Sequence, residues 1–310
     1  MDIPLLDVNA ARRSTAPDLK SPIAHRRTDE GYDNLWVRVL KAPEEDTMKL
    51  LMWKGTLASR GVDILDDEKL DEVVVEDAWK GGLNQCREWD TVVFEISGVS
   101  RGVTHELVRT RKASFAQQTM RATDMGWFDL RMPQGIKERE NEVGLVDAGE
   151  YPLLTKSLGG VIVEGSQLPM EIATVGDIWR LSTELSREAY NWLCALDIPF
   201  QDARTVAPIA TETYIVAAYP LVEFMNTFAY RGCYMFYPEI VVLFHRMRAA
   251  LLEKAPWLEP HIKIGCETTA PAGKYEHRCT YQGWESVEGQ CPLAWGKEEN
   301  RVWKSRRFQA

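Results

Sequence analysis

The run Thr91–Ile96 (TVVFEI) constrains the fold of this chain more than any other segment. β-Branched and aromatic residues crowd it, and such side chains fit a pleated, buried surface where their stiffness costs little. Ser97-Gly98-Val99-Ser100 follows at once, so the segment reads as a core strand that turns there into a helix over 101–112. Residues 36–40 read as a second strand ended by Pro43, and apolar spacing suits helices over 46–59 and 67–80. Residues 125–132 form a weaker strand candidate stopped by Pro133, while 134–169 are charged and glycine-rich, expected as loops with one short hairpin. Helices over 171–196, 221–233 and 239–254 complete the pattern. This order lacks the strand–helix alternation of a doubly wound sheet. The expected class is α+β: a mixed α/β domain whose central, mostly antiparallel sheet is flanked by helices, with an irregular C-terminal extension. Residues 1–34 read as a polar N-terminal arm, 35–255 as the domain and 256–310 as the extension.

Of the 310 residues, 45% are hydrophobic, enough apolar surface to offset the ordering entropy of a folded domain. The longest apolar run, Tyr214–Met225, is interrupted by Pro220 and Glu223 and falls short of the roughly 20 residues a membrane span needs. The first residues lack the apolar core of a signal peptide, so a cytoplasmic protein with no membrane partner is expected. A formal charge of −9 disfavours a diffuse nucleic-acid surface, since phosphate binding needs concentrated cations. The six cysteines form no CxxC; Cys266, His277, Cys279 and Cys291 allow either a zinc site or plain thiols, and the expectation is no metal.

Residues 98–121 (GVSRGVTHELVRTRKASFAQQTMR) stand apart. Arg101, Arg109, Arg111, Lys112 and Arg121 face the single acid Glu106 in an otherwise acidic chain. On a helix from Arg101, positions 101, 105 and 109 share a face, so the cations gather. Hydroxyls and amides follow at Ser114, Gln117, Gln118 and Thr119. Guanidinium forks with hydroxyl and amide donors make a phosphate site, yet the same residues also suit a solvated basic helix. Composition alone leaves both open.

The segment resembles the signature of flavin-dependent thymidylate synthases, an RHR triplet followed by seven residues and a Ser. Here it reads Arg109-Thr110-Arg111, seven residues, Thr119, with Arg121 two further on. Gly98–Arg101, Ala113-Ser114 and Gln117-Gln118 are similar to the flanks of that signature. Arg204-Thr205-Val206-Ala207-Pro208 resembles the family's R-x-V-L-P element, and Asn226 and Arg231 fall where an Asn and an Arg are expected on the next helix. The resemblance covers roughly residues 35–255.

It implies a homotetramer with active sites between subunits, FAD as cofactor, NADPH and methylenetetrahydrofolate as cosubstrates, and C5-methylation of a uridine monophosphate. Residue by residue, Arg109, Thr110, Arg111, Gln117, Asn226 and Gln85 would meet the flavin. Glu106, Arg109, Gln117, Gln118, Thr119, Met120, Arg121, Arg204 and Arg231 would meet the nucleotide. Arg231 would act at the uracil N3–C4 edge, where a fixed cation stabilises charge developing on the ring. Thr119 would position and hydrogen-bond.

Departures cluster near the ligands: Thr110 for the motif histidine, Glu106 for a glutamine, Ala122 for an aromatic residue, Pro220-Leu221-Val222 for an NxR element, and Phe236–Ile240 for A-Q-W-E-I. These changes resemble the UMP methylases of nucleoside-antibiotic pathways such as polyoxin biosynthesis, in which Thr110, Glu106 and Ala122 would accommodate a ribose 2′-OH. A dUMP-specific housekeeping synthase and a non-catalytic flavin- or nucleotide-binding regulator are the alternatives.

Overall fold

The structure is a computed structural model that describes residues 32, 34–61, 72–81, 84–126, 129–146, 171–234, 236–265 and 267. Its elements run β1 (Trp36–Lys41), α1 (Glu45–Ser59), α2 (Glu72–Gly81), α3 (Asn84–Glu88), β2 (Thr91–Ser100), α4 (Arg101–Leu107), β3 (Ser114–Gln117), α5 (Gln134–Lys137), β4 (Val143–Val146), β5 (Glu171–Thr174), α6 (Val175–Ala195), α7 (Phe200–Ala203), β6 (Glu212–Pro220), α8 (Leu221–Arg231) and α9 (Pro238–Lys254). Four strands form one sheet in the order β1-β2-β6-β3, with every neighbouring pair antiparallel. The fold is α+β, as the sequence indicates.

β2 supplies the centre. Val92, Phe94, Ile96 and Val99 are fully buried, and Ile215, Ala217 and Tyr219 answer them from β6. α9 lies across this layer with Ile240, Leu243, Phe244, Met247 and Leu251 fully buried, and α1 adds Met48 and Met52. Removing one such side chain, as in Phe244→Ala, costs about 3–5 kcal/mol through lost transfer energy and the cavity left behind. The core also takes in Tyr32, Leu258, Ile262 and Ile264, from the arm and extension sides of the expected domain limits.

Ser97–Ser100 does not turn the chain out of the sheet. The strand continues through it to Ser100, with a bulge between Ser97 and Val99. Gly98 has φ of +70°, and a Cβ there would collide with the carbonyl of Asn34, so the bulge requires glycine. The chain bends only after Ser100, whose hydroxyl accepts from the Val103 N–H as the N-cap of α4.

Three further expectations shift. α4 ends at Leu107 rather than near 112, because the chain must reverse within a few residues for β3 to pair with β6. The stretch expected as a strand over 125–132 holds only a single bridge, Leu130 to Thr211. The helix expected from 171 starts at Val175: Thr174 and Asp177 close a capping box, and the four residues before it pair with β4. β6 itself is a run that sequence patterning left unassigned. Most of the arm and the extension, Cys266, His277, Cys279 and Cys291 included, lie outside the described residues, as does most of the hairpin region.

Candidate active site

The GVSR segment is held from two sides. Glu239, buried on α9, accepts from the Ser100 N–H at 2.7 Å and from its hydroxyl at 2.8 Å. Arg131 pairs with Glu212 at 2.7 Å and lies 3.6 Å from Glu239, so a buried charge network pins the start of α4 to α9. Burial pushes the carboxyls of both Glu212 and Glu239 up, Glu212 to about 7 against the opposing pull of Arg131. On the outer side, the N–H groups of Arg101 and Gly102 donate to the carbonyls of Thr211 and Ile209, just beyond the Arg204–Pro208 element.

This clamp sets Arg101. Its Nη2 donates to the Gln118 carbonyl at 2.8 Å, which ties the helix to the polar loop after β3. Its Nε is buried without a hydrogen-bond partner among the described residues. Burial first, and then the charge of nearby Arg204, lowers the basicity of the guanidinium. Arg204 donates its own Nε to the Gln201 carbonyl at 3.0 Å, and no carboxylate pairs with either arginine among the described residues. Two nearby cations without a counter-charge among the described residues suit an anion. Arg101 is the residue that the family motif did not single out; its position on the shared 101–105–109 face was the available signal.

The loop beside it is ordered by its own side chains. Gln117 Nε2 donates to the buried Thr104 hydroxyl at 2.9 Å, and the Gln118 N–H donates to the Tyr214 carbonyl. Thr119 is exposed, and its hydroxyl accepts from the Arg121 N–H at 3.1 Å, shaping the turn that presents Arg121. Met120 packs instead against the small cluster of Met125, Tyr190 and Ala203.

Arg109, Thr110 and Arg111 lie on tight turns between α4 and β3. Arg109 and Arg111 are exposed and carry no ion pair among the described residues. Thr110 sits against the buried Tyr219 hydroxyl, whose proton burial holds firmly. Lys112 bridges to Glu88 at 2.7 Å, fixing this turn against α3. α3 packs on α8, and these two helices carry the exposed side chains of Gln85 and Asn226. Neither makes a hydrogen bond to the loop residues among the described side chains.

Arg231, the last residue of α8, pairs with Glu106 at 2.7 Å. The rings of Tyr230 and Phe236 flank its guanidinium at 5.5 and 5.7 Å. The Glu106 charge also reaches Tyr237, whose hydroxyl is pushed up to about 12, chiefly by burial. Glu106 is thus drawn to the arginine. That contact uses one of its two carboxylate oxygens.

The sequence profile of the family described as thymidylate synthase complementing protein (Thy1) matches residues 41–257. Among curated proteins, the chain is 30% identical over 174 residues to a flavin-dependent thymidylate synthase of Clostridium tetani, covering 56% of this chain and 63% of that protein. It is 31% identical over 151 residues to one of Halobacterium salinarum, covering 48% and 58%. The chain therefore spans about three-fifths of the length of these relatives. Among solved structures, thymidylate synthase X from Helicobacter pylori with FAD and dUMP aligns at 17% identity and a TM-score of 0.45, over 72% of this chain and 96% of that one. With the family profile covering well over half of its length, this chain belongs to the thymidylate synthase complementing protein (Thy1) family.

Proposed function

We propose that the chain methylates C5 of a uridine monophosphate, with dUMP as its substrate, FAD as cofactor and methylenetetrahydrofolate and NADPH as cosubstrates. The observation that carries this reading is Arg101, with a buried Nε unpartnered among the described residues, beside the cation of Arg204, and a hydrogen bond into the Gln117–Arg121 loop. A nucleotide phosphate supplies the charge this pair lacks, and Arg121 closes the loop side. The relatives' shared name supports the reaction.

The residues present fit a flavin. Arg109 and Arg111 offer two guanidinium groups, unpaired among the described residues, to a pyrophosphate, and Thr110, Gln117, Gln85 and Asn226 would hold the remainder. A bound flavin supplies the electron-transfer chemistry between NADPH and the one-carbon unit. Overall, C5 loses its proton and gains a methyl group, and two electrons from NADPH reduce the transferred methylene. Arg231 stabilises charge developing at the N3–C4 edge, and Thr119 keeps the phosphate loop in register.

The ribonucleotide variant, like that of polyoxin-type methylases, leans on Glu106, Thr110 and Ala122. The relatives are named as thymidylate synthases, so dUMP is favoured. The family resemblance also supports a homotetramer with shared active sites. Turnover of dUMP and UMP by the purified protein with NADPH and methylenetetrahydrofolate is the test. Methylated dUMP is expected as the main product; activity on UMP alone would reverse the substrate, and no product from either would leave a non-catalytic binding protein.

A further inference from the structure

Resting on that reading, we propose that Glu239 is a positioning residue for the nucleotide phosphate: from behind the site, and through Ser100, it holds Arg101 in its anion-binding pose.

A carboxyl group is costly to bury, and Glu239 is only 1% exposed. Its place in the first turn of α9 suits an acid, because the start of a helix carries partial positive charge. An exposed side chain would satisfy that preference equally well, so the burial needs another reason. The contacts supply it. Across 139 residues of chain, Oε1 accepts from the Ser100 N–H and Oε2 from the Ser100 hydroxyl. Arg131 stands 3.6 Å from Oε1 as the counter-charge, and Tyr237 places its hydroxyl 3.5 Å from Oε2. Burial pushes the carboxyl up, and the two Ser100 donors act against it.

Ser100 is thereby used on both sides. As N-cap of α4, its Oγ accepts from the Val103 N–H at 3.3 Å, while its own proton goes to Glu239. Capping needs only the first of these contacts. The second fixes the hydroxyl, and the N–H contact fixes the backbone one residue before Arg101. Beyond that point, the N–H groups of Arg101 and Gly102 are held by the carbonyls of Thr211 and Ile209, and Nη2 of Arg101 by the Gln118 carbonyl. The arginine is gripped from the α9 side, from the β6 side and at its tip. Its Nε stays buried without a hydrogen-bond partner among the described residues. A planar fork binds an oxyanion through direction as well as charge, so a small displacement of its backbone weakens it. A glutamine at position 239 fills the same space but turns one acceptor into a donor, which faces a Ser100 donor or reverses its contact. The start of α4 is then released while the core stays filled.

The test is competition binding of dUMP and deoxyuridine to the full-length, flavin-loaded protein and to Glu239→Gln, Arg101→Met and the double variant. Glu239→Gln should weaken dUMP by about tenfold and leave deoxyuridine within about twofold, since only the phosphate contact is misplaced. The double variant should bind dUMP no worse than Arg101→Met alone, because the glutamate acts through that arginine. A purely structural role would weaken both ligands alike, or add its loss to that of Arg101→Met; either result overturns the proposal. Should Glu239→Gln fail to fold, Ser100→Ala decides, as it removes one of the two contacts without disturbing α9. A fall in the ratio of dUMP to deoxyuridine affinity supports the proposal, and an unchanged ratio overturns it. If Arg101→Met itself leaves dUMP binding intact, the phosphate site is misassigned and the proposal falls with it.

Discussion

Arg231 at the end of α8 and Glu106 near the end of α4 are 125 residues apart in the chain and 2.7 Å apart in the fold. The contact joins the two stretches that carry the family's arginines. It also gives the expected charge stabiliser a neighbour that shares its charge.

Arg231→Ala should fold and retain FAD, since the side chain sits at a partly open helix end and not in the core. Turnover should fall by about 10²-fold or more, as for other positioned charge stabilisers. Steady-state kinetics beside flavin absorbance check this, and unchanged kcat would remove Arg231 from the chemistry.

Arg101→Met and Arg121→Ala probe the phosphate. Each should weaken dUMP by about ten- to 100-fold, the equivalent of one charge-assisted hydrogen bond, while the nucleoside deoxyuridine loses nothing. Competition binding of the two ligands separates the outcomes. Equal losses for both would place the guanidinium groups away from the phosphate.

Glu212 provides a pH signature. Its folded-state carboxyl sits at about 7, raised mainly by burial, whereas an unfolded glutamate titrates near ~4.3. The folded chain holds this proton more tightly, so the contribution is fully present below the unfolded value and is lost as pH rises through about 7. Relative to Glu212→Gln, the wild type should lose about 1–2 kcal/mol between pH 4.5 and 8, allowing for residual solvent screening. Thermal melts of both proteins across that range check it; a rising difference would show that Arg131 dominates over burial.

α6 and its C-cap residue present Leu185, Trp192 and Leu196 to solvent at 47%, 69% and 55% exposure, seven and four residues apart on one face. If the homotetramer forms through this face, Trp192→Glu should lower the assembled mass in light scattering while leaving the far-ultraviolet circular dichroism unchanged. An unchanged mass would move the interface elsewhere.

The fold was legible where residues carried a single meaning. TVVFEI could pack only as a buried strand, and the helix over 46–59 and the one ending at Lys254 lie where apolar spacing put them. β6 was hidden because a continuous apolar run from Tyr214 suits a buried strand and a buried helix equally, and Pro220 marks a border without naming either side. β3 is four residues long and exposes only Ser114 and Ala116, so only its pairing to β6 identifies it. In the candidate site, the motif pointed to Arg109 to Arg121 and Arg204, and the chain order to Arg231. The partners of those cations were not legible: Glu106 to Arg231, Arg101 to Gln118 and Glu239 to Ser100 are long-range contacts set by packing.

The absorption spectrum of the purified protein, titrated with dUMP, tests most directly whether these arginines gather a nucleotide against a flavin. A flavin band near its usual visible position should shift on dUMP addition, and Arg101→Met should require a higher dUMP concentration for the same shift. A colourless protein after FAD is supplied, or a flavin band indifferent to saturating dUMP, would contradict it.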